Sequence, residues 1–249
     1  MDRRWALLLA CEAPLLRQPG IHYVVAPAPE QRIWMGFAVQ YLAVRPSDSD
    51  TLVVSSSSRL LDATRERLGR SEVANEEEVN AMLLEVAALA GADDHYLCDV
   101  LSGNATDLIL DDVADGVIEF PAGSTDAKDW TGMVISSDVD GPIFATVDQA
   151  GLTAWAGIKR VSPWAQDIQI ATRPDMRRKG LARKVSSTAI RRLLDDGVTP
   201  YYAHLSDNVA SATLGRSLGF HPYGKAVFAE SRIELIPNGS EPIGAMNEQ

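Results

Sequence analysis

The sequence predicts an α+β protein, and three observations indicate it. Strand-like and helical segments are mixed in the first half of the chain, which we interpret as an α/β lobe. A segment rich in Gly, Asp, Ser and Pro lies between about 102 and 128. After it, three strand-like segments precede two helical segments that are separated by a further strand. With 249 residues, 46% of them hydrophobic, the chain can bury a substantial core.

The first half contains two clear strands and three helical segments. Residues 33–44 (IWMGFAVQYLAV) and 51–54 (TLVV) are rich in the β-branched and aromatic residues that favour strands. Residues 58–68 and 75–91 predict helices, the second beginning at Asn75 with three glutamates and ending at Gly91. The N-terminal MDRRWALLLACEAPLL predicts an amphipathic helix, because its apolar run is shorter than the roughly 7 to 15 residues of an export signal.

The Gly- and Asp-rich segment separates the predicted domains. We place an acidic N-terminal lobe at residues 1–105, a linker at 106–124 and a second domain at 125–249. Residues 1–124 contain 9 Arg, no Lys and 20 Asp plus Glu, a net charge of −11, whereas residues 125–249 contain 14 basic and 14 acidic residues. This charge distribution argues against a general nucleic-acid-binding protein and is compatible with the attraction of cationic molecules.

The second half has a regular order of elements. Residues 141–147 and 152–158 predict strands joined by the turn DQAG, in which glycine suits a positive φ. QDIQIAT (166–172) predicts a third strand, and the helix after it begins near Leu181 and ends at Gly197. YYAHL (201–205) predicts the next strand, followed by a helix that ends at Gly219. KAVFAE (225–230) and RIELI (232–236) predict the last strands.

A basic turn connects the third strand to its helix. Five of the eight residues at 177–184 (RRKGLARK) are basic. Cations at a helix N-terminus cost about 0.3 to 1 kcal/mol each, so the arrangement favours a bound anion. The free N–H groups of the first turn, with the small residues Gly180 and Ala182, would let a phosphate approach the backbone. The sequence has neither a nucleotide P-loop nor a dinucleotide-binding fingerprint.

Two motifs in this half resemble the GNAT superfamily of acyl-CoA-dependent N-acyltransferases. RRKGLA (177–182) is similar to the family's R/Q-x-x-G-x-G/A signature and is preceded by a strand and a proline, Pro174. DNVASATLGRSLGF (207–220) resembles its second signature, in which Asn208 opens a helix that closes with Leu-Gly-Phe. The resemblance covers roughly residues 125–236, and residues 1–124 show no motif of this family.

The resemblance implies a mixed, V-shaped sheet that holds acetyl-CoA or another short acyl-CoA as co-substrate. The pantetheine arm would lie between the strands at 166–172 and 201–205, and the pyrophosphate on backbone N–H groups of residues 178–183. A backbone N–H from residues 170–172 would polarise the thioester carbonyl, and the amine would attack directly. The residues implied in cofactor binding are Ile170, Ala171, Thr172, Arg177, Arg178, Lys179, Gly180, Leu181, Ala182, Arg183, Asn208 and Ser211.

The acid and the base are predicted from the same resemblance. Family members often have an acidic residue early in the third strand, and Asp167 is the candidate base here. The family's frequent acid, a tyrosine after a leucine, is replaced by Gly215. Residues near it that could take this role are Tyr201, Tyr202, His204 and Ser211, of which we select Tyr202 and His204. Glu119 and the pair Asp138 and Asp140 could line the acceptor pocket.

The sequence therefore predicts an N-acetyltransferase that acts on an amine, either a small molecule or a peptide. The alternative is a catalytically silent regulatory module that binds acyl-CoA. Cys11 and Cys98 form no disulfide framework, and the four histidines have no metal-ligand spacing, so no metal is predicted. We also expect a cytoplasmic location and neither a nucleic-acid nor a membrane partner. The sequence leaves a homodimer open.

Overall fold

A computed structural model describes residues 1–29, 33–34, 37–69, 75–111, 115–122, 139, 141–162 and 165–232. Its helices are α1 (Asp2–Leu9), α2 (Ser58–Gly69), α3 (Glu76–Ala88), α4 (Leu181–Asp195) and α5 (Val209–Ser217). Its strands are β1 (Gly20–Val25), β2 (Ile33–Trp34), β3 (Phe37–Pro46), β4 (Thr51–Ser56), β5 (Asp94–Ser102), β6 (Ile118–Phe120), β7 (Ile143–Asp148), β8 (Gly151–Ser162), β9 (Ala165–Thr172), β10 (Thr199–Leu205) and β11 (His221–Arg232). The predicted α+β class is confirmed.

The strands of the described residues form a single mixed sheet. Its order is β1-β4-β3-β11-β5-β10-β9-β8-β7-β6, and β2 pairs with β3 beside this path. Two pairs are parallel, β1 with β4 and β10 with β9, and the other pairs are antiparallel. The parallel pair β9–β10 is connected by α4, as a crossover between parallel strands requires.

The sheet crosses the boundary predicted at residues 106–124. Strand β5 comes from the segment 1–105, yet it lies between β10 and β11, which come from the segment 125–249. β11 in turn pairs with β3 on its other side. The two segments therefore share one sheet, and the separate acidic lobe expected at 1–105 has no sheet of its own.

Helices cover both faces of this sheet. On one face, α1 packs its Trp5 and Leu9 on Leu42, Val100 and Tyr201. Neighbouring residues along a strand point to opposite faces, and Tyr41, Leu101 and Tyr202 accordingly contribute to the cores under the other four helices. α2 and α3 cover one of these cores, and α4 and α5 cover the other.

Several local predictions are confirmed. The side chain of Asn75 accepts from the N–H of Glu78, whose carboxylate accepts from the N–H of Asn75, and this capping box starts α3. Asp148 and Gly151 pair across the predicted β7–β8 turn. Gly197 and Gly219 follow α4 and α5 with positive φ. The strand predicted at 33–44 is divided into β2 and β3, β5 was not predicted, and RIELI lies outside the described residues apart from Arg232.

Candidate functional site

The site is built where two parallel strands part. β9 and β10 pair at only three positions, and the last of these joins Asp167 to Tyr201. Beyond it β9 continues to Thr172 and β10 to Leu205 without further pairing between them. The facing edges are therefore open over residues 168–172 and 202–205, and their backbone groups can pair with an extended ligand. This opening corresponds to the V-shaped sheet that the resemblance implies.

A cavity of about 660 Å³ lies at this opening. The end of β9, the basic turn, the first residues of α4 and one side of α5 form its walls. The structure brings eleven of the twelve predicted cofactor residues into its lining: Ile170, Ala171, Thr172, Arg177, Arg178, Gly180, Leu181, Ala182, Arg183, Asn208 and Ser211. Lys179 does not line it, and its Nζ lies 3.2 Å from the Sδ of Met176.

The N-terminus of α4 points into the cavity without a cap. Gly180 is its N-cap residue and has no side chain to offer the first-turn N–H groups. Its φ of 77° is in the left-handed region, as is the φ of 62° at Arg178. A Cβ built on Gly180 meets nothing within 4 Å, so the space in front of the helix is open. The residues present therefore fit a phosphate group.

The basic side chains of this turn differ in what they contact. Arg177 and Arg178 line the cavity and have no ion-pair partner in the described part of the chain. The guanidinium of Arg183, by contrast, donates to Asp111 Oδ1 at 2.7 Å, to the carbonyl of Ile109 at 2.7 Å and to the carbonyl of Ser217. The side chain of Arg183 is thus already bonded within the protein, whereas its backbone N–H lies in the first turn of α4, where the resemblance places the pyrophosphate.

Tyr202 and Ser211 form a hydrogen-bonded pair in the cavity wall. The hydroxyl of Tyr202 donates to the carbonyl of Ser211 at 3.1 Å and lies 2.8 Å from its Oγ. Burial raises the pKa of Tyr202 to about 12. Asn208 caps α5, because its Oδ1 accepts from the N–H of Ser211 at 3.0 Å. Gly215, on the next turn of α5, is buried against the ring of Tyr202.

Asp167 lies at the point of divergence, on the opposite face from α4. Burial raises the pKa of its carboxyl to about 7, although the backbone N–H groups of Ile168 and Ala203 and the nearby Lys159 lower it. Its Oδ1 has no hydrogen-bond partner among the described residues. Gln169 lies two positions further along the same strand face, and its buried Oε1 also has no partner there.

Other predicted residues lie elsewhere. His204 does not line this cavity, although its ring lies 6.2 Å from that of Tyr202. Tyr201 packs under α1 against Trp5. Glu119 forms an ion pair with Arg192 at 2.8 Å on the surface. Asp138 and Asp140 lie outside the described residues. The catalytic role of His204 therefore stays a prediction, and its side chain lies outside this cavity.

Five residues of the cavity lining were not predicted from the sequence. They are Met176, Ala210, Thr213, Leu214 and Ser217. Four of them belong to α5. Leu214 follows Ser211 by three positions, and Ala210, Thr213 and Ser217 follow one another by three and four positions, as residues on one side of a helix do. Within the residues that the structure describes, no group of three His, Cys, Asp or Glu could hold a metal ion, and no helix is long and apolar enough to cross a membrane.

The family comparison agrees with this geometry. Residues 158–226, from β8 to β11, match the family model described as GNAT acetyltransferase. Over these residues the chain is similar to GNAT acetyltransferases. The matched region includes the opening between β9 and β10, the basic turn and α5, so both motifs noted in the sequence fall inside it.

Solved GNAT structures are similar to the chain. They include a putative acetyltransferase from Novosphingobium aromaticivorans (21% identity, 57% of this chain and 67% of that chain covered, TM-score 0.47). A GCN5-related N-acetyltransferase-like protein from Streptococcus suis shares 14% identity over 74% of this chain and 72% of its own (TM-score 0.45). Another, from Kribbella flavida, shares 19% over 62% and 63% (TM-score 0.43). No curated protein sequence matches the chain.

Proposed function

We propose that the chain transfers an acetyl or another short acyl group from its CoA thioester to an amine. The observation that carries this proposal is the meeting of two features in one cavity. One is the open edge of β9 at residues 170–172, and the other is the uncapped N-terminus of α4 at Gly180. An extended amide-bearing arm that ends in a pyrophosphate is complementary to both.

The chain's own residues would hold this co-substrate in two ways. Backbone N–H groups of residues 178–183 would donate to the pyrophosphate, and the charges of Arg177 and Arg178 would add to the helix dipole. The open edge of β9 would pair with the pantetheine amides as a neighbouring strand would. Acyl-CoA, when bound, supplies a thioester carbonyl that an amine can attack without a covalent enzyme intermediate.

Asp167 is the base that we propose. It is placed where the strands part, and its carboxyl has a pKa of about 7 because it is buried. It is thus largely ionised in mildly alkaline solution, and it can accept the proton that the amine nitrogen loses as it bonds to the carbonyl carbon. The unpartnered Oδ1 of Asp167 and Oε1 of Gln169 are acceptors on one face of β9. Two buried acceptors suit a ligand that brings N–H donors.

Tyr202 is the acid that we propose in place of the family's usual tyrosine. When the C–S bond breaks, the Tyr202 hydroxyl can donate its proton to the thiolate sulfur. It can then regain a proton through the hydroxyl of Ser211, its hydrogen-bond partner. A CoA thiolate leaves near neutral pH with less assistance than an alkoxide needs, so the contribution of Tyr202 is expected to be modest. The acceptor that we propose is a small-molecule or peptide amine.

A thiol-release assay tests the proposal. Acetyl-CoA is supplied with a panel of primary amines, and free CoA is measured with a thiol reagent while the acetylated amine is identified by mass spectrometry. We expect amine-dependent release in equal amounts of thiol and product, and loss of both in Asp167→Asn. Binding of acetyl-CoA without release for any amine would favour the silent regulatory module instead.

A further inference from the structure

A row of four polar side chains crosses the sheet on the face that carries α3 and α5. Arg45 of β3 is the direct partner of Lys225 in β11, Lys225 is the partner of Asp99 in β5, and Asp99 is the partner of His204 in β10. Directly opposed residues of antiparallel strands point to the same face. The row therefore runs across four neighbouring strands in the order cation, cation, anion, imidazole.

This row interrupts an apolar surface. On the same face, residues two positions away along the strands belong to hydrophobic cores, among them Ala43 and Val227 on one side and Leu101 and Tyr202 on the other. Placing Arg45 directly opposite Lys225 costs stability, because like charges in opposed pairs repel.

A cavity of about 740 Å³ lies over the row, between α3 and α5. It is distinct from the acyl-CoA cavity, since α5 stands between them and turns Ala212 and Arg216 towards one and Ser211 and Leu214 towards the other. The charged lining residues are three cations (Arg45, Lys225 and Arg216) and three anions (Asp50, Glu76 and Asp99). The lining is thus close to neutral overall but carries both signs.

Two groups in this cavity have hydrogen-bonding capacity left over. Lys225 and Asp99 satisfy each other at 2.5 Å. Arg45 has no ion-pair or hydrogen-bond partner among the described residues. His204 is only 8% exposed; its Nδ1 donates to the carbonyl of Leu205 at 2.9 Å, which leaves Nε2 as an acceptor without a partner in the same part of the chain. The half-buried Arg45 and the nearly buried His204 both line the cavity, so both can still bond to a ligand there.

We propose that this cavity is a second ligand site, which takes a short zwitterion of the size of a di- or tripeptide. Its carboxylate would lie at the Arg45–Lys225 end of the row, where the guanidinium fork matches a carboxylate. Its ammonium would lie at the Asp99–His204 end, where both groups accept. The two ends are about two strand spacings apart, roughly 9.5 Å. Two to three extended residues, at roughly 3.3 to 3.6 Å each, span this distance.

The remaining lining residues argue against a purely anionic ligand. Glu76 and Asp50 would repel a polyphosphate. The N-terminus of α3, where Glu76 lies, is already closed by the Asn75–Glu78 capping box and offers a phosphate no free cap. A net-neutral ligand with separated charges would not be repelled overall by Glu76 and Asp50, and it would not need a free helix N-terminus.

Calorimetric titration without acyl-CoA tests the proposal with Ala-Ala-Ala as the probe. We expect Ala-Ala-Ala to bind, and N-acetyl-Ala-Ala-Ala, Ala-Ala-Ala-amide and alanine to bind at least tenfold more weakly. Arg45→Gln should weaken binding at least tenfold without lowering the melting temperature, because it removes a repelling charge. Arg59→Gln, which removes an exposed arginine of α2, is the matched control and should bind as the wild type does.

A second variant keeps the test decisive if Arg45→Gln folds poorly. The double variant Lys225→Gln/Asp99→Asn removes both members of an ion pair together and should also lose binding, while a melting-temperature shift with acetyl-CoA persists. Failure of the wild type to bind Ala-Ala-Ala overturns the proposal, as does unchanged binding by Arg45→Gln. Arg45-dependent binding of inorganic phosphate in place of the peptide would overturn the zwitterion assignment.

Discussion

Gly215 and Tyr202 pack so closely that only glycine fits beside the ring. A Cβ built on Gly215 lies 3.1 Å from Cε1 of Tyr202 and 2.6 Å from Cδ1 of Leu101. The tyrosine that is frequent in the family at position 215 has no room here, because the ring of Tyr202 from the neighbouring strand fills that space. A phenol remains next to α5, but it comes from β10, and its hydroxyl is fixed by Ser211.

The first prediction concerns the stability of Gly215→Ala. Alanine in a helix is normally about 1 kcal/mol more favourable than glycine. Here the added methyl group would have to displace Leu101 and Tyr202, and overpacking of this kind costs about 1 to 3 kcal/mol. We expect a net loss of stability in urea unfolding. Gly69→Ala, in α2 with nothing within 4 Å of its Cβ, should be neutral or stabilising. A more stable Gly215→Ala would contradict this packing.

The second prediction concerns the phosphate position. Acetyl-CoA should raise the melting temperature of the wild type, because it binds only the folded state. Gly180→Glu places a carboxylate in front of α4 and should abolish this shift. Gly197→Glu is the matched control, since Gly197 has a similar φ of 71° and equally open surroundings but does not line the cavity. Equal melting-temperature shifts in the two variants would show that the phosphate does not bind at the N-terminus of α4.

The third prediction concerns the pH dependence of activity through Asp167. A base with a pKa of about 7 should give kcat/KM an acidic limb centred near pH 7. In Asp167→Asn, the rate should fall by about 100-fold or more and this limb should disappear. A wild-type acidic limb near pH 4 would rule out the elevated carboxyl pKa.

The Asp167 carboxyl should also make the free energy of unfolding depend on pH. The folded-state pKa is raised, so between about pH 4 and 7 the folded protein keeps a proton that the unfolded chain has lost. The free energy of unfolding should therefore fall as the pH rises through this window, by about 4 kcal/mol for a shift of this size. Asp167→Asn should remove this contribution. Urea titrations of both proteins at pH 4, 5.5 and 7.5 measure the difference.

The fourth prediction concerns Tyr202. Because burial raises its pKa to about 12, kcat/KM should keep its plateau through pH 9 to 10, where an ordinary phenol would begin to ionise. Tyr202→Phe should lower kcat about tenfold without changing the shift caused by acetyl-CoA. Tyr41→Phe removes a remote buried hydroxyl that lies 3.3 Å from Thr64 Oγ1, and should leave kcat unchanged. An alkaline limb near pH 10 that persists in Tyr202→Phe would assign the acid to another residue.

The fifth prediction concerns the two halves of the chain. The charge division suggests that a fragment from residue 122 to 249 would fold and bind the cofactor. Since β5 lies between β10 and β11, this fragment lacks a central strand, and we expect it to be insoluble or to show no cooperative unfolding. Co-expression with residues 1–111 should restore acetyl-CoA binding. A fragment that binds on its own would show that β5 is dispensable.

Local features of the site were predictable from the sequence, and non-local ones were not. The basic turn, Gly180 and the Asn208 cap follow from short-range rules about helix starts, and each lies where the motif places it. The partners of Arg183 could not be foreseen, because Asp111 is 72 positions away. The cavity that His204 lines could not be foreseen either. Strand alternation places His204 on the same sheet face as Tyr202, but it does not show that α5 divides this face into two cavities. The insertion of β5 was missed because strand order depends on pairing between distant segments.

The central position of β5 also determines which strand edges are unpaired while the chain is being synthesised. Ser102 at its end pairs with His221, 119 positions later, and β3 receives its partner from the same late strand. While the ribosome is still making the second half, both edges of β5 and one edge of β3 are without partners. Open edges of this kind invite pairing with other chains. The nascent protein therefore stays aggregation-prone until nearly its whole length has emerged, and its yield in cells should depend on chaperones that bind unfinished sheets.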